Sequence, residues 1–150
     1  MTNQPRILVV EARFYENYAD ELIKGVAQVL DPIGVKYDRI EVPGVFELPG
    51  AISMAVKSHT ARQYGGYIAL GCVIRGETDH YDHICREASR SLMDLTTDQS
   101  VPFGFGVLTC ETGEQARVRA DSSGEKNVGG KAAAACLRMI ELKQQFGLTQ

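Results

Sequence analysis

The chain has 150 residues, of which 44% are hydrophobic and 23% charged, and its formal net charge is -3. These values are typical of one soluble globular domain over residues 1–150 and exclude a disordered chain. The basic residues are dispersed, so we expect no nucleic-acid partner. No stretch is long and apolar enough for a membrane span and the start does not resemble a signal peptide, so we expect no membrane contact and a cytoplasmic location.

The predicted secondary structure alternates between strands and helices. Four short apolar runs, residues 6–12, 35–42, 67–74 and 101–109, are separated by segments of helical periodicity, which predicts a parallel sheet. Helices are predicted around Leu22, Ile52 and Leu92, and over residues 113–120 and 132–146. Gly34 is the predicted stop of the first helix.

The strands are apolar almost throughout, which favours an α/β fold with helices on both faces, a three-layer sandwich. In such folds ligands bind beyond the carboxyl ends of the strands. The loops after the four strands are therefore the candidate functional segments. The cysteines include no C-x-x-C pair, so we expect free, mostly buried thiols at Cys72, Cys85, Cys110 and Cys136.

The first two loops carry an aromatic ring and an acid. Arg13, Phe14 and Tyr15 come directly after the first strand, where an aromatic ring such as that of Phe14 either stacks on a flat heterocycle or caps the core. The second loop, VPGVFELPG, has two Pro-Gly pairs around Glu47. Glycine lets a ligand approach the backbone and a carboxylate accepts hydrogen bonds, although a plain structural turn is the alternative for each pair.

The third loop lies in LGCVIRGETDHYDHIC, residues 70–85, where polar residues follow a buried strand. Gly76, Glu77 and Thr78 precede a predicted helix, whose first amides favour a phosphate group. Thr78 or the next residue, Asp79, acting as a helix cap is the structural alternative. His80 falls in the first helical turn, and an imidazole there is suited to proton transfer.

Two further histidine and arginine patterns have weaker interpretations. His83 lies one turn after His80 and suggests a metal together with Cys85, but a third close ligand is missing and we assign no metal. Arg117 and Arg119 follow the fourth strand. The planar guanidinium of an arginine can bind phosphate, and the alternative is an ordinary surface arginine that faces solvent. Neither common nucleotide-binding glycine motif is present.

Four motifs in order, VPGVFELP, LGCVIRGETDHYDHIC, PFGFGVLT and EQARVRA, resemble the 6,7-dimethyl-8-ribityllumazine synthase family. The resemblance implies a flavodoxin-like sandwich, homopentamers and active sites between subunits. It implies condensation of 5-amino-6-(D-ribitylamino)uracil with 3,4-dihydroxy-2-butanone 4-phosphate, the penultimate step of riboflavin biosynthesis, without metal or organic cofactor.

The resemblance also assigns roles by position. The catalytic proton shuttle is His80. Phe14 would stack on the pyrimidine, and the backbone of Val73 and Ile74 would contact its edge. The ribityl chain would contact Val45, Phe46 and Glu47. The phosphate would be bound by Gly76, Glu77 and Thr78. From the adjacent subunit come Phe105, which covers the other face of the ring, and Arg119, the counter-charge of the phosphate.

Three positions depart from the family pattern. Tyr15 replaces the usual Asn after the stacking ring, and Val45 replaces a smaller residue. The family's phosphate-side lysine aligns with Val128, with Lys126 as the alternative. The surrounding loop, DSSGEKNVGG, is one residue longer than usual, and longer versions accompany free pentamers rather than capsids.

Two other function classes are alternatives to this assignment. The first is a protein of the same fold that binds a flavin or lumazine without efficient catalysis; retention of Phe14, His80 and Arg119 disfavours it. The second is a flavodoxin-like signalling or FMN domain. That class requires clustered acids with a phosphorylatable Asp, or a Ser/Thr-rich phosphate loop after the first strand, and EARFYENY has neither.

Overall fold

The computed structural model describes residues 5–59, 64–76 and 78–148. Its strands are β1 (Ile7–Ala12), β2 (Tyr37–Val42), β3 (Gly66–Ile74) and β4 (Phe103–Cys110). They form one parallel sheet in the order β2-β1-β3-β4. The predicted four-stranded parallel sheet is confirmed. The chain moves from β1 outward to β2 and then crosses to β3 on the opposite side, so the switch point of the topology lies between β1 and β3.

Five helices connect and follow the strands: α1 (Glu16–Leu30), α2 (Leu48–Lys57), α3 (His80–Gln99), α4 (Gly113–Ala120) and α5 (Val128–Gln145). The predicted bounds of α4 are confirmed, because Thr112 supplies a cap: its hydroxyl accepts a hydrogen bond of 3.2 Å from the amide of Gln115. Short 3-10 turns cover Asp31–Ile33 and Val45–Glu47.

The helices cover both faces of the sheet. On β1, Ile7 and Val9 pack with α1, α4 and α5, whereas Leu8 and Val10 pack with α2 and α3. Each strand residue therefore enters the opposite core from its neighbour, as the pleat requires. This confirms the three-layer α/β sandwich. No helix in the described part of the chain could span a membrane.

The end of α1 differs from the prediction. The helix ends at Leu30, and the 3-10 turn that follows is closed by Gly34, whose φ of +73° is left-handed. Gly34 is thus a stop signal, but for the turn after the helix rather than for the helix itself.

The start of α5 also differs. The helix begins at Val128, four residues before the predicted start, because the side chain of Asn127 accepts a hydrogen bond of 3.1 Å from the amide of Gly130. Gly129 and Gly130 have low helix propensity, which moved the prediction downstream. In the fold both are buried, since the helix start packs directly against α1.

The thiols are free, as expected. Cys72, Cys110 and Cys136 are buried, and Cys85 on α3 is partly buried.

Candidate active site

A cavity of about 720 Å³ opens at the carboxyl ends of β1, β2 and β3, beside the switch point of the sheet. Seven of the predicted site residues line it: Phe14, Val45, Phe46, Glu47, Val73, Ile74 and His80. Its wall is mainly apolar with a few polar groups, the usual character of a site for a small organic molecule. The sequence prediction of ligand-binding loops at this end of the sheet agrees with its position.

An exposed aromatic ring forms one side of the cavity. Phe14 is 76% exposed, although it follows a completely buried strand. Its ring meets the ring of Tyr15 edge to face, with centroids 4.9 Å apart, and Tyr15 packs in turn against the core. The alternative role of Phe14 as a cap on the core is therefore wrong. A broad apolar face remains open to a flat ligand.

The turn after β2 forms a second side. Val45 is buried, whereas Phe46 and Glu47 are exposed and line the cavity. Glu47 makes no side-chain hydrogen bond to any residue that the structure describes, so both its oxygens are open to hydroxyl donors. Val45 fits because residue 71 is glycine: a Cβ there would lie only 2.7 Å from Cγ2 of Val45.

Only the first of the two Pro-Gly pairs is a turn at the cavity. Pro43 and Gly44 line it, whereas Pro49 and Gly50 fall in the first turn of α2. Proline fits there because its fixed φ suits a helix start and its missing N–H has no helical partner to lose.

The floor of the cavity includes backbone that lacks a neighbouring strand. The ladder between β1 and β3 ends at the pair Glu11 and Leu70, but β3 continues to Ile74 and pairs there with β4 alone. Successive residues of a strand direct their N–H and C=O groups to opposite sides. The backbone groups of Val73 face β4, like those of Tyr67 and Arg75, whereas those of Ile74 face the side where the cavity lies, beyond the last pair with β1.

Cys72 lies in the same wall but does not supply a reactive thiolate. Burial, with a smaller contribution from Cys110, raises the pKa of this thiol to about 12. It is therefore a neutral, apolar wall residue at neutral pH.

The predicted phosphate loop joins β3 to α3. Gly76 has open space around the position of a Cβ, and the hydroxyl of Thr78 accepts a hydrogen bond of 3.2 Å from the amide of His80. Asp79 occupies the cap position without a side-chain cap bond, so of the two predicted caps only Thr78 makes such a contact. The predicted phosphate ligand Glu77 lies outside the described residues.

Two histidines of α3 face the cavity. His80 is the first residue of the helix and His83 lies one turn later, where Nε2 is 3.4 Å from Oδ2 of Asp79. His83 was not among the site residues predicted from the sequence, but the spacing of three residues that places it beside His80 was already a signal. Within residues 5–59, 64–76 and 78–148, no group of three or more metal-ligating side chains occurs.

Two predicted site residues lie elsewhere on the protomer. Phe105, on the edge strand β4, is 43% exposed, and Arg119 on α4 donates a hydrogen bond of 3.1 Å to the carbonyl of Gln115. Neither lines the cavity. Lys126 is exposed, whereas Val128 packs against the core at the start of α5.

Known proteins that are similar to this chain identify its family. Residues 4–144 match the family model described as 6,7-dimethyl-8-ribityllumazine synthase. The chain belongs to this family. It is 52% identical to the 6,7-dimethyl-8-ribityllumazine synthase of Bartonella bacilliformis over 143 residues, which cover 95% of this chain and 93% of that relative. Members of this lumazine synthase family are transferases of riboflavin biosynthesis.

Two further relatives agree. The 6,7-dimethyl-8-ribityllumazine synthase of Agrobacterium fabrum is 48% identical over 147 residues, covering 97% of this chain and 99% of the relative. 6,7-dimethyl-8-ribityllumazine synthase 1 of Rhizobium meliloti is also 48% identical, over 143 residues that cover 94% of this chain and 93% of the relative. The resemblance noted in the sequence motifs is thus confirmed over nearly the whole chain.

Some cavity residues were not predicted. Besides His83, these are Tyr15, Cys72 and Ile84. All are neighbours in sequence of predicted residues or lie one helical turn away. Their proximity to the ends of the strands was therefore the signal that could have found them.

Proposed function

We propose that this cavity is where the chain condenses 5-amino-6-(D-ribitylamino)uracil with 3,4-dihydroxy-2-butanone 4-phosphate to give 6,7-dimethyl-8-ribityllumazine. The observation that carries the proposal is the meeting of seven predicted site residues, from three separate segments of the chain, around one cavity in a chain of this family.

The pyrimidine would lie between the ring of Phe14 and the end of β3. The backbone groups of Ile74, which face the cavity beyond the last pair with β1, offer a donor and an acceptor to the edge of the heterocycle, and Val73 lines the same wall. The free carboxylate of Glu47 and the backbone around Val45 and Phe46 would receive the ribityl hydroxyls, since they form the adjoining wall.

The butanone phosphate would lie at the start of α3. Gly76 and Thr78, with Glu77 between them, precede the first amides of a 20-residue helix, and the positive end of the helix dipole favours an anion there. His80 is the first residue of that helix and lines the cavity, which supports its role in moving protons as the amine attacks the ketone and phosphate leaves.

The chain's own residues supply the chemistry in this proposal, without a metal or organic cofactor. Holding two reactants in place contributes on the order of 7–11 kcal/mol, whereas one general base typically gives about 100- to 10,000-fold. Positioning by the cavity therefore contributes more of the acceleration than His80 does.

The same proposal requires a second copy of the chain. Phe105 and Arg119 lie outside the cavity of their own protomer, and both are at least partly exposed, which supports a role toward another copy. We therefore propose that a neighbouring subunit contributes them, within a homopentamer that stays free because the loop before α5 is long. Lys126, exposed in that loop, is the proposed replacement for the family lysine that aligns with Val128. Light scattering of the purified protein tests the pentamer, and a particle near a megadalton would contradict it.

A direct assay tests the activity. Purified protein is mixed with both substrates, and the fluorescent lumazine product is followed with time. We expect turnover that depends on both substrates. As a biosynthetic enzyme, the protein is proposed to act in the cytoplasm. Tight binding of riboflavin without turnover would instead support the binding-protein alternative.

A further inference from the structure

A network of ion pairs is centred on Arg13, the residue before Phe14. Arg13 belongs to the loop after β1, yet its side chain is only 12% exposed. Its guanidinium donates to Oε1 of Glu11 at 2.7 Å, to Oε2 of Glu16 at 3.1 Å, and to Oδ1 of Asp20. One side chain thus joins the end of β1 to the first two turns of α1.

The network extends to the neighbouring strand. The carboxylate of Glu11 is 4% exposed and also accepts hydrogen bonds of 2.6 Å and 3.1 Å from Arg39 on β2. Burial opposes the charged form of Arg13, but hydrogen bonds to the three carboxylates outweigh it and raise the pKa of the guanidinium. Arg13 and Glu11, the two nearly buried members of the network, hold their geometry closely, because losing one leaves the charge of the other uncompensated. Glu16 and Asp20 are exposed partners at its edge.

Phe14 has little else to hold it. Phe14 is 76% exposed, and within the described part of the chain its ring meets one other ring, that of Tyr15, edge to face. The backbone of the loop must therefore determine where the ring stands. Arg13 is the adjacent residue, and its contacts with β1 and α1 fix that backbone.

We propose that Arg13 is a positioning residue for the pyrimidine substrate: by anchoring the loop after β1 to Glu11, Glu16 and Asp20, it holds Phe14 in its stacking position before the substrate binds. This inference rests on the proposed function, in which Phe14 stacks on the pyrimidine. Ordering the loop in advance removes an entropy cost that the substrate would otherwise bear.

The test is the Arg13→Met variant of the full-length protein, with the KM of each substrate measured separately. We expect the KM for the pyrimidine to rise about 5- to 30-fold, the factor that corresponds to ordering about one backbone residue. The KM for the butanone phosphate should stay unchanged. Arg138→Met, which removes an exposed arginine paired with Glu141 on α5, is the matched control and should change neither.

Two additional variants cover loss of folding and partial rescue. Asp20→Asn removes one exposed carboxylate and keeps the pair with Glu11, so it should raise the same KM by a smaller factor even if Arg13→Met does not fold. Arg13→Lys retains the charge without the fork that reaches three carboxylates, and it should fall between wild type and Arg13→Met.

A double-mutant cycle with Phe14→Ala separates the possible failures. If Arg13 acts through Phe14, replacing Arg13 should have no further effect on the pyrimidine KM once the ring is gone. A rise of equal size with and without the ring, or a rise in both substrates' KM, would overturn the inference. If Phe14→Ala alone leaves the KM unchanged, the stacking role fails and the inference fails with it. If the pyrimidine KM is raised in Phe14→Ala but normal in Arg13→Met and Asp20→Asn, the inference about Arg13 is overturned, whereas the stacking role of Phe14 stands.

Discussion

Nε of Arg75 donates a hydrogen bond of 2.6 Å to Oε2 of Glu111, which joins the segment after β3 to the segment after β4. The same guanidinium donates to Oδ1 of Asp82 on α3 at 3.0 Å and lies 4.5 Å from the centre of the Tyr81 ring. Because Gly76 is the next residue, these contacts determine where the proposed phosphate loop begins.

Arg75→Met should therefore weaken binding of the butanone phosphate. We expect its KM to rise about 10-fold, since small displacements of a bound reactant are costly. The pyrimidine KM should change less. Steady-state kinetics with each substrate varied in turn provides the measurement. Arg90→Met, which removes an arginine paired with Glu87 and Asp94 further along α3, is the control; equal effects of the two variants would show that Arg75 has no special role.

His80→Ala should slow the reaction without abolishing it. Loss of one proton-transfer group typically costs about 100- to 10,000-fold, while the contribution of positioning stays in place. Single-turnover product fluorescence gives the rate. His83→Ala, one turn further in the same cavity, should have a smaller effect. Complete loss in His80→Ala with an intact assembly would mean that this residue does more than move protons.

Gly129→Ala should destabilise the protein although alanine favours helices. A Cβ at residue 129 would lie 2.1 Å from the carbonyl oxygen of Leu22, so α1 and α5 must separate, at a cost of about 1–3 kcal/mol. Gly50→Ala in α2 is the matched control, because the new Cβ would meet no described atom within 4 Å beyond its own turn of helix. It should stabilise the fold by about 0.5–1 kcal/mol. Urea unfolding measures both, and equal signs would refute the packing argument.

Stability should fall at alkaline pH through Cys136. Burial raises the pKa of its thiol from 9.0 to about 12 in the folded chain. Below the ordinary value both states keep the proton and the stabilisation is complete. As the pH rises between these two values, the unfolded chain releases its proton first, so the free energy of unfolding decreases.

Urea unfolding at several alkaline pH values, with reductant present, measures this slope. Cys136→Ala should reduce it, whereas Cys85→Ala, at a partly buried position, should keep most of it. An unchanged slope in Cys136→Ala would exclude this thiol as a cause.

Local patterns predicted much of the fold. The apolar runs located all four strands, and the period of residues 113–120 matched α4 because its cap is a neighbour in sequence. The start of α5 was missed since Gly129 owes its helical state to packing against α1, which no local pattern records.

The candidate site divides in the same way. The loops after the strands were predictable from topology, and the specific motifs named most of the lining residues. The contact between Arg39 and Glu11 could not be predicted from the sequence, because these residues are 28 positions apart and their pairing depends on the register of β1 and β2. Phe105 and Arg119 were assigned to a neighbouring subunit through family resemblance, and a single protomer offers no geometry for that role.

The extension of β3 beyond its last pair with β1 has a consequence for how the cavity evolves. In the proposed arrangement the heterocycle takes the place of a missing strand, and it is read by peptide groups that every amino acid carries. Recognition of that ring edge then depends on the length of β3 and not on which side chains the strand carries. Substitutions at Val73 that preserve the strand should reshape the wall of the cavity yet leave this part of recognition intact.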